Sequence, residues 1–371
     1  MPHLAFTLTS LDKSSVGLRT ADHDTCLTTT FLLPLLWLFC LVALPTFAQS
    51  GVSEMQALVR GGQAALDAGD FARAVHDFEQ ARQLAPSNLD VAHGLLLSYL
   101  QAGRMSAAIS TGTEEVEKWP QDVDLHHYLG LAYFKAGQKT QAAEELQRAK
   151  SLDGSNGDVH FDLALVFLSE NQYSSAADEL ETALKSRGSD PLTHLLLGRA
   201  YQNSNRTLEA IEQFRLALRL DPNTPLGHYH LGFAYSSMGR NKDAILEYQK
   251  ELARSPQDPN LQYQLGHSLL EAGDWKNAAD HLERATELDP QNGDAFYELG
   301  KVLLLEGEAE RGLSALRRAT ELNPTDPSPH YQLARALEKT GSSGAKQEWQ
   351  KFTELKKAQP QTGGMATGRI H

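Results

Sequence analysis

The feature that most limits what this chain can fold into is a recurrence of 34 residues in three separate columns. Proline returns at Pro86, Pro120, Pro222, Pro256, Pro290 and Pro324, with Gly154 and Gly188 in the two intervening slots. A turn column reads Gly69, Gly103, Gly137, Asn171, Asn205, Gly239, Gly273, Gly307 and Gly341. A small-residue column reads Ala74, Ala108, Ala142, Ala176, Ala210, Ala244, Ala278 and Gly312. Within one period, for instance Asn260 to Pro290, apolar residues recur at helical spacing: Leu265, Gly266 and Leu269 before Gly273-Asp274, then Ala278, Leu282 and Ala285. That is the stripe of an amphipathic helix on each side of a turn. Glycine and asparagine tolerate the left-handed backbone at a helix C-terminus, and proline lacks the amide that would continue the second helix. A hairpin of this size cannot bury its own apolar face, so it must stack on copies of itself.

With those landmarks in that order, the chain resembles the tetratricopeptide repeat family. Further columns carry the likeness. The seventh position is Leu95, Leu129, Leu163, Leu197, Leu231, Leu265, Leu299 and Leu333. The eighth is small: Gly62, Gly130, Ala164, Gly198, Gly232, Gly266, Gly300 and Ala334. The eleventh is Tyr99, Tyr133, Phe167, Tyr201 and Tyr235, then Leu269, Leu303 and Leu337. The resemblance implies an all-α, right-handed superhelical solenoid of about nine helix-turn-helix repeats. They start near residues 55, 89, 123, 157, 191, 225, 259, 293 and 327, within an array over 49–357. The fold hosts many unrelated partners, so it does not fix a function.

Ahead of the array, residues 1–48 read as a signal sequence, cleaved or retained as an anchor. Phe31 to Ala48 is an uncharged apolar run of 18 residues, interrupted by Pro34 and Pro45. A membrane span needs about 20. Thr46 and Ala48, followed by Gln49-Ser50, have the layout of a cleavage site after Ala48. The preceding region is long, and Lys13 and Arg19 are offset by Asp12, Asp22 and Asp24; a translation start placed too far upstream explains both. The expectation is export to the periplasm or medium, with a membrane anchor over 31–48 as the alternative. Cys26 and Cys40 both precede the cut, so the mature chain would have no disulfide framework. The formal net charge of −13 disfavours nucleic acid and anionic membrane as partners.

Four local expectations follow. Ser53 with Gln56 fits a capping box for the first helix. In the second copy Leu96, Gly112 and Glu115 invert the expected sizes, which predicts loose packing around Ser110 to Thr113. Glu251 replaces an alanine and is expected half-exposed at a helix edge. Trp349, Phe352 and Leu355 should cover the last repeat as a cap, with a disordered tail over 358–371.

Chemistry has few footholds. GxSxG, HExxH, GxxxxGK[ST] and GxGxxG do not occur, which argues for a non-enzymatic chain without cofactors. His126, His160, His194, His228 and His330 share one slot, but equivalent positions in stacked helices lie roughly 10 Å apart. Metal bonds are about 2 Å, so packing is the better account of that column.

In the family, positions two, five, nine, twelve and thirteen of the first helix line a concave groove. Carried over, they give an apolar lane of Leu97, Leu100, Leu131, Phe134, Leu165 and Leu168, with Phe161 and Leu195 beside it. They also give a ladder of Tyr229, Tyr263, Tyr297 and Tyr331, flanked by Phe233, His267, Lys301 and Arg335. Tyrosine at position five is common in the family, so the ladder reads either as repeat pattern or as ligand contact. The lane must meet a partner, meet a second copy, or be covered by tight curvature. Exposed patches of this size usually mark interaction sites, which favours the first. The family's carboxylate clamp needs lysine at position five and asparagine at nine of one copy, and no copy has both. The expected role is a scaffold that holds a protein or peptide partner. Alternatives are a substrate-positioning or assembly subunit of an envelope enzyme or secretion complex, and a self-associating structural spacer.

Overall fold

The computed structural model describes residues 46–358, and the residues from Gly51 onward form one unit. Among the described residues eighteen α-helices pair into nine hairpins. The first four are α1 (Thr46–Asp67) with α2 (Phe71–Leu84), α3 (Leu89–Gln101) with α4 (Met105–Lys118), α5 (Val123–Lys135) with α6 (Lys139–Leu152), and α7 (Gly157–Ser169) with α8 (Tyr173–Arg187). The next three are α9 (Pro191–Asn203) with α10 (Thr207–Leu220), α11 (Gly227–Ser237) with α12 (Asn241–Leu252), and α13 (Pro259–Glu271) with α14 (Trp275–Leu288). The last two are α15 (Gly293–Glu306) with α16 (Ala309–Leu322), and α17 (Pro327–Thr340) with α18 (Ala345–Ala358). Each second helix packs on its own first helix and on the next, so the contacts run along the array as in a solenoid.

Boundaries follow from backbone chemistry. Asn171 and Asn205 have φ of 60° and 62°, matching the positive φ of the turn glycines. A second device lies at the last position of the repeat, where an Asn or Asp side chain accepts the amide two or three residues ahead. Asn88, Asp122, Asn156, Asp190, Asp258, Asn292 and Asp326 cap first helices in this way. The sixth copy breaks the series. Its Thr224 turns its hydroxyl back to donate to the Asp221 carbonyl at 2.7 Å, and α11 has no side-chain cap. Leu226 takes a left-handed φ of 59° there. For a non-glycine residue that costs about 1–2 kcal/mol.

Within a hairpin the helices touch where a small residue at position eight meets a large one at twenty-four. A Cβ on Gly198 would lie 2.5 Å from Phe214, one on Gly232 2.8 Å from Tyr248, and one on Gly266 2.7 Å from Leu282. In the second copy both members are exchanged. Leu96 is fully buried, and a Cβ on Gly112 would come 2.9 Å from Leu129 and 3.3 Å from Leu96. The expected looseness is replaced by a complementary fit, and α4 runs unbroken through Ser110 to Thr113.

Position twenty-seven is Ala81, Ala149, Ala183, Ala217, Ala285 and Ala319 in six copies, all at 0% exposure. Glu115 fills the slot in the second copy and reaches Arg82 at 3.2 Å and Lys118 at 2.9 Å. Glu251 fills it in the sixth, where the corresponding neighbours are Leu218 and Arg254, and Arg254 turns away to donate to the Pro222 carbonyl at 2.6 Å. It is not half-exposed but buried, and its Oε2 has no hydrogen-bond partner. The slot faces inward in the first eight copies, so glutamate there has no edge to escape to.

Ser53 is not a cap either. α1 begins at Thr46, so Ser53 lies inside the helix; nothing from Thr46 to Ser53 stops a helix except the single Gly51. At the other end Trp349, Phe352 and Leu355 are half-buried, with Tyr331 against Trp349 and Phe352 at 5.5 and 5.3 Å. The signal sequence expected over residues 1–48 lies outside the described residues except for its last three, which belong to α1. The tail expected over 358–371 lies outside them beyond residue 358. Among the described residues no helix is long and apolar enough to cross a membrane.

Two substitutions test this packing by thermal unfolding followed by circular dichroism. Glu251→Ala removes a buried, unpaired carboxylate and should stabilise the chain by about 1–3 kcal/mol; an unchanged or lower midpoint would show that Glu251 has a counterpart. Leu96→Ala should cost about 2–5 kcal/mol, and adding Gly112→Leu should return part of that loss by rebuilding the arrangement of the other copies. Strict additivity of the two changes would refute the exchange.

Candidate partner-binding face

The histidine column is a clip within each hairpin. From position four of the first helix, Nδ1 of His126, His160, His228 and His330 lies 2.5–2.7 Å from a carboxylate oxygen of Glu145, Glu179, Glu247 and Glu348 on the second. His194 meets Gln213 Oε1 at 2.7 Å. On the other side of the ring, Nε2 of His126 and His160 donates to the carbonyls of Pro120 and Gly154. The seventh copy inverts the pair: His281 Nδ1 donates to Gln262 Oε1 at 2.7 Å, and Gln262 Nε2 donates to the Pro256 carbonyl at 3.0 Å. Each ring thus faces its own hairpin rather than its neighbours in the column. Among the described residues no group of three or more His, Asp or Glu side chains is placed to hold a metal ion.

The apolar lane divides in two. Leu97, Leu131, Phe134, Leu165 and Leu168 are half-buried along the first helices. Leu100, Phe161 and Leu195 are not on the open face: they are 3%, 6% and 6% exposed. Leu100 joins Phe78 and Tyr99 in a core cluster, and Leu195 joins the main one. Phe161 lies under the Arg187 guanidinium, 4.4 Å from its ring, while Arg187 pairs with Asp158 at 3.1 Å. First helices of successive copies touch, so side chains at positions five and twelve fall into the seam between them. Covering by curvature, one of the three options open to the lane, therefore applies to these three residues.

The tyrosine ladder is half-buried throughout, as are Phe233 and Lys301, whereas Arg335 is exposed. Lys301 Nζ sits 5.2 Å from the Tyr297 ring centre, and Arg335 5.5 Å from that of Tyr331, both within cation–π range. Burial raises the phenol pKa of Tyr229, Tyr263 and Tyr297, so the hydroxyls remain protonated donors.

One seam device was not read from the sequence. The residue at position six of a copy faces position five or nine of the copy before it. Asp162 there lies 2.7 Å from His127 Nε2. Glu298 accepts from Lys301 at 2.7 Å and lies 3.8 Å from His267. Against the cost of burial, Glu298 holds the Lys301 ammonium above its ordinary pKa. In the sixth copy the slot holds His230, stacked on Phe214 with ring centres 5.6 Å apart. Burial, with the charge of Arg199, pushes the His230 pKa down to about 3, so the ring is neutral at ordinary pH. The Glu298–Lys301 pair lies three residues apart on one helix, whereas the contacts of Asp162 with His127 and of Glu298 with His267 cross between copies, so their signal was present only in the comparison of adjacent copies.

No curated relative matches the chain. Solved structures similar to it include a chain of the APC/C hetero-tetramer Cut9–Hcn1, at 20% identity and TM-score 0.49, over 72% of this chain and 52% of that one. Another is a tetratricopeptide repeat protein from Parabacteroides merdae, at 15% identity and TM-score 0.47, over 68% and 99%. A third is MamA from Desulfovibrio magneticus, at 19% identity and TM-score 0.44, over 46% and 96%. A tetratricopeptide repeat family model matches residues 59–123, 127–191, 161–225, 195–259 and 263–327. The chain belongs to the tetratricopeptide repeat family, whose fold generally mediates protein–protein interaction or scaffolding.

Proposed function

We propose that this protein is a non-catalytic scaffold, exported from the cytoplasm, that holds a segment of a protein partner along the face formed by its first helices. The carrying observation is the row of half-buried side chains on that face: Leu97, Leu131, Phe134, Leu165 and Leu168, then Tyr229, Phe233 and Tyr263. Half-buried apolar and aromatic groups held by a rigid array give up contact area to a ligand at small ordering cost. The tyrosines keep a hydroxyl for orientation while burying their rings. Export rests on the apolar run over 31–48 and its small-residue end. The net charge of −13 supports a protein partner over nucleic acid.

A second reading, the self-associating spacer, is favoured by a different observation. Leu208, Leu246 and Trp275 on second helices are 63%, 56% and 43% exposed, away from the first-helix face. Light scattering at high concentration separates the two, since a strictly monomeric chain removes the spacer.

Leu131→Ser with Phe134→Ser should abolish recovery of partners from an envelope extract, with the helical circular dichroism signal retained. Because both residues also pack on the core, Arg335→Glu on an exposed position gives an independent reading and should weaken recovery several-fold. Recovery unchanged in both variants would move the binding surface off this face.

A further inference from the structure

Arg199 is a half-buried cation of the first helices. It stands at position nine of the fifth copy, half-buried, with no ion-pair partner among the described residues. The cation at the same position of the eighth copy, Lys301, has its counter-charge in Glu298, at position six of its own copy and 2.7 Å away. Beside Arg199 that residue is Leu196, and the residue at position six of the following copy is His230, an uncharged ring. Burial lowers the pKa of the Arg199 guanidinium, with only the Tyr173 hydroxyl acting the other way. Three residues along α9, on the same side of the helix, Gln202 is 8% exposed and its amide Nε2 has no hydrogen-bond partner. Leaving such donors without acceptors is costly. The fold tolerates both at adjacent turns of one helix, in the middle of the array.

We propose that Arg199 and Gln202 form a carboxylate-receiving subsite, which takes one aspartate or glutamate side chain from an otherwise apolar, extended segment of the partner. A planar guanidinium fork with an amide N–H one turn further along the same helix face matches the two oxygens of a carboxylate. The apolar lane lies before Arg199 in the chain and the tyrosine ladder after it. The anion is therefore internal to the segment; a chain terminus at this point would leave one half of the face empty. The chain's overall charge of −13 repels a polyacidic partner at long range, so the segment carries a single carboxylate at this point rather than an acidic run. The subsite rests on the reading of the first-helix face as the partner surface. It uses neither the lysine at five nor the asparagine at nine of the family's clamp.

The test uses the purified chain on an array of twelve-residue peptides, otherwise random, attached through their C-termini so that no free terminal carboxylate is present. Peptides retained by the wild type should be enriched in one Asp or Glu flanked by apolar residues. Arg199→Gln should lose that enrichment and bind glutamate-bearing peptides about tenfold more weakly, the loss expected for one charge-assisted contact. Arg199→Glu should exchange the preference for Lys or Arg, with the apolar flanks kept in both variants. Retained acid preference in Arg199→Gln, or no acid preference in the wild type, overturns the subsite. Leu131→Ser with Phe134→Ser separates the two levels. If peptides lose binding in that variant yet show no acid preference, the face stands and the subsite falls. If binding ignores that variant, or no peptide is retained, the face falls and the subsite with it. Arg199→Gln should also unfold at or above the wild-type temperature; a lower midpoint would reveal an internal partner for Arg199 and equally overturn the proposal.

Discussion

Everything in this fold depends on one steric pairing, a position with a glycine or alanine opposite a position with a large side chain where two helices cross. The Cβ distances at Gly198, Gly232 and Gly266 are too short for any other residue to be accommodated without displacing the facing ring or leucine. That contact sets the angle within the hairpin, and the angle sets where the next hairpin can dock. The second copy shows that the constraint is on the pair and not on either residue, because Leu96 and Gly112 satisfy it in reverse. Interiors are close-packed, so an exchange of volumes across one contact is allowed where a change of total volume is not.

This explains what could be read from the sequence and what could not. The hairpins, their turns and the left-handed Asn171 and Asn205 were legible, because each depends on spacing along the chain. Burial at the face was only partly legible. Leu97 and Leu100 both belong to the same helical stripe, yet one remains half-open and the other is buried. What separates them is the distance to the next first helix, and no period in the sequence contains that distance. The histidine clip lay between these cases. Its partner is nineteen positions further on in most copies, and the inverted Gln262–His281 pair carried the hint that the two columns exchange roles.

Repetition also decides which departures carry meaning. In a stacked array each copy contributes its own stability and an interface with its neighbours, and identical copies contribute alike. The costs here are not spread evenly. The sixth copy alone lacks the side-chain cap on its first helix among copies two to nine, places Leu226 in a left-handed backbone, and buries Glu251 without a cation. Its His230 fills a slot that carries carboxylates in the fourth and eighth copies, which leaves Arg199 without a counter-charge. Uncapped helix ends and unpaired buried charges each cost on the order of 1 kcal/mol or more. Local opening in a linear array begins where such costs collect. The junction of copies five and six is therefore both the softest step of the ladder and the place where a ligand's charge would be worth most, since an anion bound at Arg199 offsets a penalty that Glu298 meets from within at Lys301.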